Sequence, residues 1–208
     1  MNANKLAVST YKKIANKYTD LYFNDQTDLP QINKFLVELK PKAKILDVGS
    51  GPGEYAKYLL DKGFEVEGID LSSAMLRIAK KKVPNGKFSR MDLRSLLYPA
   101  ETFNALLVAY SIIHIPSAEI PKTLMGFNRV LKSGGLVFLI TQKGKPDQTV
   151  DEPLKEGEKM FFNFFTKKRI AKFLTDNGFT VVRQEEIPSS DIVSMSSATI
   201  YTLAKVIK

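Results

Sequence analysis

Residues 44–58 read K-I-L-D-V-G-S-G-P-G-E-Y-A-K-Y. The run opens apolar and strand-prone, with Ile45, Leu46 and Val48. It closes helix-prone, with Tyr55, Ala56 and, just beyond, Leu59 on one side. Between the two, Gly49, Gly51 and Gly53 alternate with single residues. A strand that feeds a helix through such a turn brings bare backbone close to whatever lies at the strand's C-terminal end. The helix N-terminus adds unpaired N–H groups and a partial positive charge there.

Two classes of ligand compete for this loop. A dinucleotide fingerprint spaces its glycines G-x-G-x-x-G, so that a pyrophosphate reaches the helix N-terminus. Here the third glycine comes one residue early, and Glu54 stands at the fingerprint's third position. Asp47 precedes the first glycine. Carboxylates at both places suit a ligand with an ammonium or sulfonium group better than an anionic one.

Outward from the loop, helical and strand patterns alternate. On the N-terminal side, Tyr11, Ile14, Ala15, Tyr18, Leu21 and Tyr22 fall at helical spacing within residues 5–22. A second helix is predicted over 30–39, with Asp28 or Leu29 near its cap, ended by Lys40-Pro41-Lys42. Downstream, the patterns predict strand 45–48, helix 53–61, strand 64–69, helix 73–82 capped by Ser72, and a short strand near 87–91. Then come an apolar strand 104–110, a helix 117–131 and a second apolar strand 136–141. Continuous apolar strands separated by helices imply βαβ units and a mostly parallel sheet. Residues 143–158 are polar, with Gly and Pro, and read as an excursion rather than core. Helix 166–176 and strands 179–186 and 198–206 complete the chain, the short link at Pro188-Ser189-Ser190-Asp191 suiting antiparallel neighbours.

The 208 residues suit one domain with a sizeable core. Cysteine is absent, which excludes disulfides, thiolate metal sites and a cysteine nucleophile. No apolar run is long enough for a bilayer or forms a secretory signal, so a cytoplasmic address is expected. The formal charge is +9. That admits a nucleic-acid partner, but the lysines are scattered and only Lys80-Lys81-Lys82 forms a run. A solvated basic surface is the reading we adopt.

With these residues in view, D-V-G-S-G-P-G (47–53) resembles motif I of class I S-adenosylmethionine-dependent methyltransferases. Further segments are similar to later motifs of that family, in order. They are G-I-D-L-S (68–72), A-M-L-R-I-A-K (74–80), R-M-D-L (90–93), F-N-A-L-L-V-A-Y-S-I-I-H-I-P (103–116), R-V-L-K-S-G-G-L-V-F-L (129–139) and T-D-N-G-F (175–179). Each is weak alone; the ordered set is strong. The resemblance implies a three-layer α/β sandwich with a seven-stranded sheet, order 3-2-1-4-5-7-6, strand seven antiparallel. Residues 1–40 would be a helical lid or cap segment, and 41–208 one α/β domain with an excursion at about 143–165.

The resemblance also implies roles. S-adenosylmethionine would be bound and leave as S-adenosylhomocysteine. Asp47, Gly49, Ser50, Gly51 and Gly53 would form the loop around it. Asp70 would accept from the ribose hydroxyls, as an acceptor-only carboxylate suits a diol. Leu71 and Met75 would pack on the adenine, Asp92 would accept from its amine beside the Leu93 backbone, and the backbone near Ala109 would hold the methionine end. Tyr18, with Tyr11 and Ala15, matches a family segment that folds over the cofactor. Asn104 departs from the family's usual acid, at the strand end away from the cofactor.

Methyl transfer from a sulfonium is an in-line displacement, which the protein aligns and, where needed, relieves of a proton. His114, the only histidine, is the candidate catalytic residue, either base or positioning donor; its alternative is a loop residue that orients backbone. Phe161, Phe162, Phe164 and Phe165 read as part acceptor pocket, part core. Ala109-Tyr110-Ser111-Ile112 stands where nucleobase amino-methyltransferases carry their N/D-P-P-Y/F tetrad. No His/Cys cluster or acid group suggests a metal. The acceptor is expected to be a small molecule, with RNA or a catalytically idle binding domain as alternatives, a dinucleotide oxidoreductase last, no membrane contact, and a monomer or homodimer.

Overall fold

The computed structural model describes residues 3–189 and 196–208. In chain order it contains α1 (Ala3–Tyr22), α2 (Leu29–Leu36), β1 (Lys44–Val48), α3 (Glu54–Asp61), β2 (Glu65–Asp70), α4 (Ser73–Lys82), β3 (Lys87–Arg90) and β4 (Phe103–Ala109). Two single 3-10 turns, Ile112–His114 and Ser117–Glu119, lead into α5 (Ile120–Val130) and β5 (Leu131–Gln142). Then follow β6 (Gln148–Asp151), β7 (Lys159–Phe162), α6 (Lys167–Asp176), β8 (Phe179–Pro188) and β9 (Ala198–Val206).

Seven strands form one sheet in the order β3-β2-β1-β4-β5-β9-β8. The first five are parallel, and β9 runs antiparallel to both β5 and β8. This is the expected 3-2-1-4-5-7-6 order, with β8 and β9 as the sixth and seventh strands. The order reverses at β1, between β2 and β4, so the glycine loop opens at the switch point of the sheet, where ligands bind in such folds.

Side chains alternate across the sheet and divide the core in two. Leu46, Leu106, Val108, Val137 and Leu139 face α1, α5 and α6. Ile45, Ala105, Leu107, Phe138 and Ile140 face α2, α3 and α4. Phe35 stacks on Phe138 with ring centroids 5.1 Å apart. Helices on both faces explain why β4 is apolar throughout. Among the described residues no helix is long and apolar enough to cross a membrane.

Three segments differ from expectation. Helix α2 stops at Leu36 rather than Leu39, because the chain tightens into i→i−3 bonds from Glu38 N–H to Phe35 and from Leu39 N–H to Leu36. Strand β5 starts at Leu131, paired with Phe103, and then bulges over 132–135 before Leu136 rejoins Ala105. The excursion is partly structured: β6 and β7 pair as an antiparallel hairpin, and Leu154, Met160 and Phe162 are buried in the core under α1. The link expected at 188–191 lies, at Ser190 and Asp191, outside the described residues.

Candidate functional site

The glycine loop is built for close approach on two sides and for access on the third. The N–H groups of Gly49 and Ser50 both donate to the Ile69 carbonyl at 2.8 Å, which ties the loop to β2. All three glycines have positive φ, at 75°, 52° and 92°. A Cβ on Gly49 would lie 2.3 Å from that of Ser111, whose hydroxyl donates to the Val48 carbonyl. A Cβ on Gly53 would press on Phe88, Val83 and Ala79 at 3.1–3.3 Å. Beside Gly51 there is only the Glu54 carboxylate, at 3.8 Å. Thus Gly49 admits the turn after β4, Gly53 admits α4 and β3, and Gly51 has open space beside it, where a cavity lies.

That cavity, of about 90 Å³, is bounded by Gly49 and Gly51, by Asp70, Leu71 and Met75, by Asp92 and Leu93, and by Ala109. Asp70 ends β2, where its two oxygens accept from Gly51 N–H at 3.0 Å and Ser72 N–H at 2.7 Å. Each oxygen keeps a lone pair for a further donor. Burial raises its pKa, while the N–H groups of Ser72, Gly51 and Leu71 oppose the rise. Asp92 is held by Arg94, whose Nε donates to Oδ1 at 3.0 Å and whose terminal nitrogen donates to Oδ2 at 2.7 Å. Arg94 also bonds Glu119, and Asp92 first, with Glu119, pushes its pKa above the usual range.

Asp47, Ser50 and Gly53 are not on this wall. Asp47 is 1% exposed, behind the loop. Burial, then the nearby Asp70, pushes its pKa up to about 7; the Ala56 N–H tempers this, yet neither oxygen makes a full hydrogen bond. Asp47 therefore does not touch this cavity.

A second cavity, of about 290 Å³, adjoins the first, and both are bounded by Tyr11, Tyr18, Glu54, Tyr55 and Tyr110. Glu54 sits at the junction. Its Oε2 is buried without a hydrogen-bond partner, and burial pushes its pKa up to about 8. Beyond it, three tyrosines converge on Asp28. Tyr55 donates to Oδ2 at 2.5 Å, and Tyr201 and Tyr110 donate to Oδ1 at 2.6 and 3.1 Å. Tyr110 reaches Asp28 from a left-handed backbone, φ 49°, where β4 leaves the sheet. Asp28 does occupy the cap position of α2, but its side chain makes no cap hydrogen bond because the tyrosines hold it.

His114 also borders the smaller cavity, but its ring is engaged on both sides. Nδ1 lies 3.0 Å from the Phe161 carbonyl, which only accepts, so the proton is assigned to Nδ1. Nε2, 2.9 Å from the Tyr11 hydroxyl, then accepts. Burial pulls its pKa down to about 4, against the pull of the Phe161 carbonyl. It is a neutral side chain that joins α1 to β7. This matches the orienting role more than that of a base near neutral pH. Of the phenylalanines, Phe162 lines the larger cavity while Phe164 and Phe165 are core.

Comparison with known proteins now decides the family. Residues 45–135 match the family described as "Methyltransferase domain". Those residues carry a methyltransferase domain, and the fold is the one seen in S-adenosylmethionine-dependent methyltransferases of known structure. The chain is 29% identical over 143 residues to a demethylmenaquinone methyltransferase of Thermotoga maritima, covering 65% of this chain and 61% of the relative. It is 33% identical over 165 residues to phosphoethanolamine N-methyltransferase 2 of Caenorhabditis elegans, covering 76% and 37%. The match thus spans less than two thirds of either relative's length. In fold it is similar to 1,6-didemethyltoxoflavin-N1-methyltransferase of Burkholderia thailandensis, solved with that compound and S-adenosylhomocysteine. The TM-score is 0.77 at 17% identity, over 97% of this chain and 87% of that one.

Two acids of the larger cavity escaped the sequence reading. Glu54 was legible as an obstacle to a pyrophosphate, not as the residue between two cavities. Asp28 gave no signal beyond a helix cap, since its partners Tyr110 and Tyr201 are 82 and 173 residues away in the chain.

Proposed function

We propose that the protein transfers a methyl group from S-adenosylmethionine to a small-molecule acceptor. The observation that carries this is a pair of adjoining cavities that meet at Glu54, one at the sheet's switch point and one beyond it. The donor groups fit the cofactor. Asp70, with a spare lone pair on each oxygen, suits the ribose diol. Asp92, held by Arg94, suits the adenine amine, with Leu71, Met75 and Leu93 against the ring. The unpartnered Oε2 of Glu54, backed by Asp47, suits the cationic end. Gly51 leaves room for the ligand, and Gly49, Ser50 and Gly53 shape the loop that does so. Tyr18 and the Ala109 backbone complete the enclosure. The cofactor, when bound, supplies an activated methyl and a neutral leaving thioether. The chain's own part is to orient the two reactants and exclude water.

Residues 1–40 act in this reading as a cap over an α/β domain of 41–208. Helix α1 crosses the cavities, held by Thr10 Oγ1 to the Lys159 carbonyl, Lys17 Nζ to the Leu154 carbonyl and Tyr11 to His114. The small acceptor follows from the cavity volume and is in keeping with relatives named for quinone and phosphoethanolamine substrates. A cytoplasmic address and independence from nucleic acid and metal belong to the same reading. Among the described residues no group of His, Asp or Glu could hold a metal ion. Calorimetric titration with S-adenosylmethionine and S-adenosylhomocysteine tests the reading: both should bind, one per chain. Failure of both, with binding of a nicotinamide dinucleotide instead, overturns it.

A further inference from the structure

The larger cavity has a charge out of keeping with the rest of the chain. The protein carries 31 Lys and Arg residues against 22 acids. Among the described residues, none of those 31 lines this cavity, while Asp25, Asp28, Glu54 and Glu152 do. Lys17 eases the charge of Glu152, but it is exposed and donates to the Leu154 carbonyl. Neither the acids nor the cavity would carry much weight alone. What gives them meaning is the state of Asp28. It is 6% exposed and receives three tyrosine O–H bonds. Three O–H donors on one carboxyl group favour its ionised, acceptor-only form, against the burial that raises its pKa. Among the described residues of the cavity wall, no cation is paired to it. A buried negative charge is costly unless a counter-charge arrives.

The rest of the wall suits the same counter-charge. Tyr11, Tyr18 and Tyr22 cover one side with their rings, and the 5.7 Å edge-to-face contact of Tyr11 with Tyr18 sets two of them at right angles. Aromatic faces attract cations, and more strongly when both are desolvated. Glu54 adds its unpartnered Oε2 at the cavity mouth.

We propose that this cavity binds a small, positively charged amine that carries no phosphate or carboxylate, and that this amine is the acceptor class. Its ammonium would give one proton to the Glu54 carboxylate. The freed nitrogen lone pair would form the N–C bond as the S–C bond breaks, and that bond's electron pair stays on the neutral thioether. The inference rests on the methyltransferase reading for the word acceptor, but not for the binding. An anionic group would meet four carboxylates and no basic side chain, so phosphorylated amines are rejected along with acids. The volume of about 290 Å³ lies at the low end of ligand pockets, which excludes large quinones with long tails.

The test uses the purified full chain saturated with S-adenosylhomocysteine. Tryptamine and phenethylamine are titrated calorimetrically beside their isosteric alcohols, tryptophol and 2-phenylethanol, and the acids indole-3-propionate and 3-phenylpropionate. The amines should bind at least about tenfold more tightly than the alcohols, and the acids should show no heat. Asp28→Asn should lose most of that preference, and the double variant Asp25→Asn, Glu152→Gln part of it, while the affinity of each for S-adenosylhomocysteine changes less than about twofold. If alcohols or acids bind as well as the amines, or none of the six binds the loaded protein, the amine site is refuted. Amine binding by a protein that does not take up S-adenosylhomocysteine would instead refute the methyltransferase reading and leave the amine site standing.

Discussion

Two residues bordering the smaller cavity, Asp70 and His114, differ in what their polar atoms are free to bind, and their variants should separate. Asp70 uses backbone N–H groups to stay oriented on the cavity wall, so Asp70→Ala removes an acceptor that no neighbour replaces. We expect its affinity for S-adenosylmethionine to fall by about 100-fold or more in calorimetry, in line with loss of charge-assisted hydrogen bonds. His114→Ala should weaken the cofactor by less than about tenfold, since the ring's two nitrogens are spent on Phe161 and Tyr11. The reverse order would displace Asp70 from the site. The acids behind the loop make a pH prediction. Glu54 and Asp47 titrate at about 8 and about 7 in the fold, far above an unfolded carboxyl at roughly 4. Each folded pKa is raised, so their contribution to stability is complete below roughly 4 and is lost as pH rises through 7 and 8. The free protein should therefore melt at lower temperature at pH 8.5 than at pH 6.5. A cation bound beside them prefers both ionised, so S-adenosylmethionine affinity should rise over the same window. Glu54→Gln should flatten both trends, and a profile unchanged by that substitution would remove Glu54 as their source. Asp47 was readable as an acid before glycines, but burial behind the loop depends on how α3 packs, which no local pattern states.

Among the elements, the loop 49–53 and the hairpin β6–β7 make contrasting cases. The loop announces itself, because positive φ and close approach leave glycine as the residue of choice. Gly53→Ala should cost more than about 1 kcal/mol in denaturant unfolding, from a left-handed backbone at φ 92° and crowding by Phe88, Val83 and Ala79. A neutral effect would mean that α4 yields more easily than its packing implies. The hairpin gave no such notice. Its first strand, Gln148–Asp151, offers one apolar residue, Val150, too few for an alternating pattern. It is ordered by what it supports: Lys159 accepts from Thr10, Phe161 from His114, and Lys13 pairs with Glu158 at 2.6 Å. Tyr11→Phe cuts the link to His114 and leaves that nitrogen unsatisfied, at a cost of about 1–3 kcal/mol. Hydrogen exchange should quicken in residues 3–22 and 159–162 together. Faster exchange confined to one of the two would show that they do not move as a unit.

For the whole molecule, the positive charge and the binding site lie apart. The walls of both cavities lack Lys and Arg among the described residues. The protein should accordingly give no product with total RNA and labelled S-adenosylmethionine. What RNA affinity its lysines confer should be weak and fall steeply with salt. Transfer of label to RNA at physiological salt would reverse that expectation. Sequence periodicity carried the α/β class, the strand succession and the glycine loop, because a helix or strand writes its buried face into neighbouring residues and a tight turn needs particular residue types. Asp70 and Asp92 were picked out by the resemblance to a known family rather than by these local rules, and both line the smaller cavity. Folding alone decided the rest. It pairs Asp28 with Tyr110 and Tyr201 across 82 and 173 residues, sets Glu54 between two cavities, and buries His114 between α1 and β7 with both ring nitrogens engaged. The side chains that bound the larger cavity come from distant parts of the chain. Their chemistry was visible one residue at a time, and their convergence is a property of the sheet order and of the helix that crosses it.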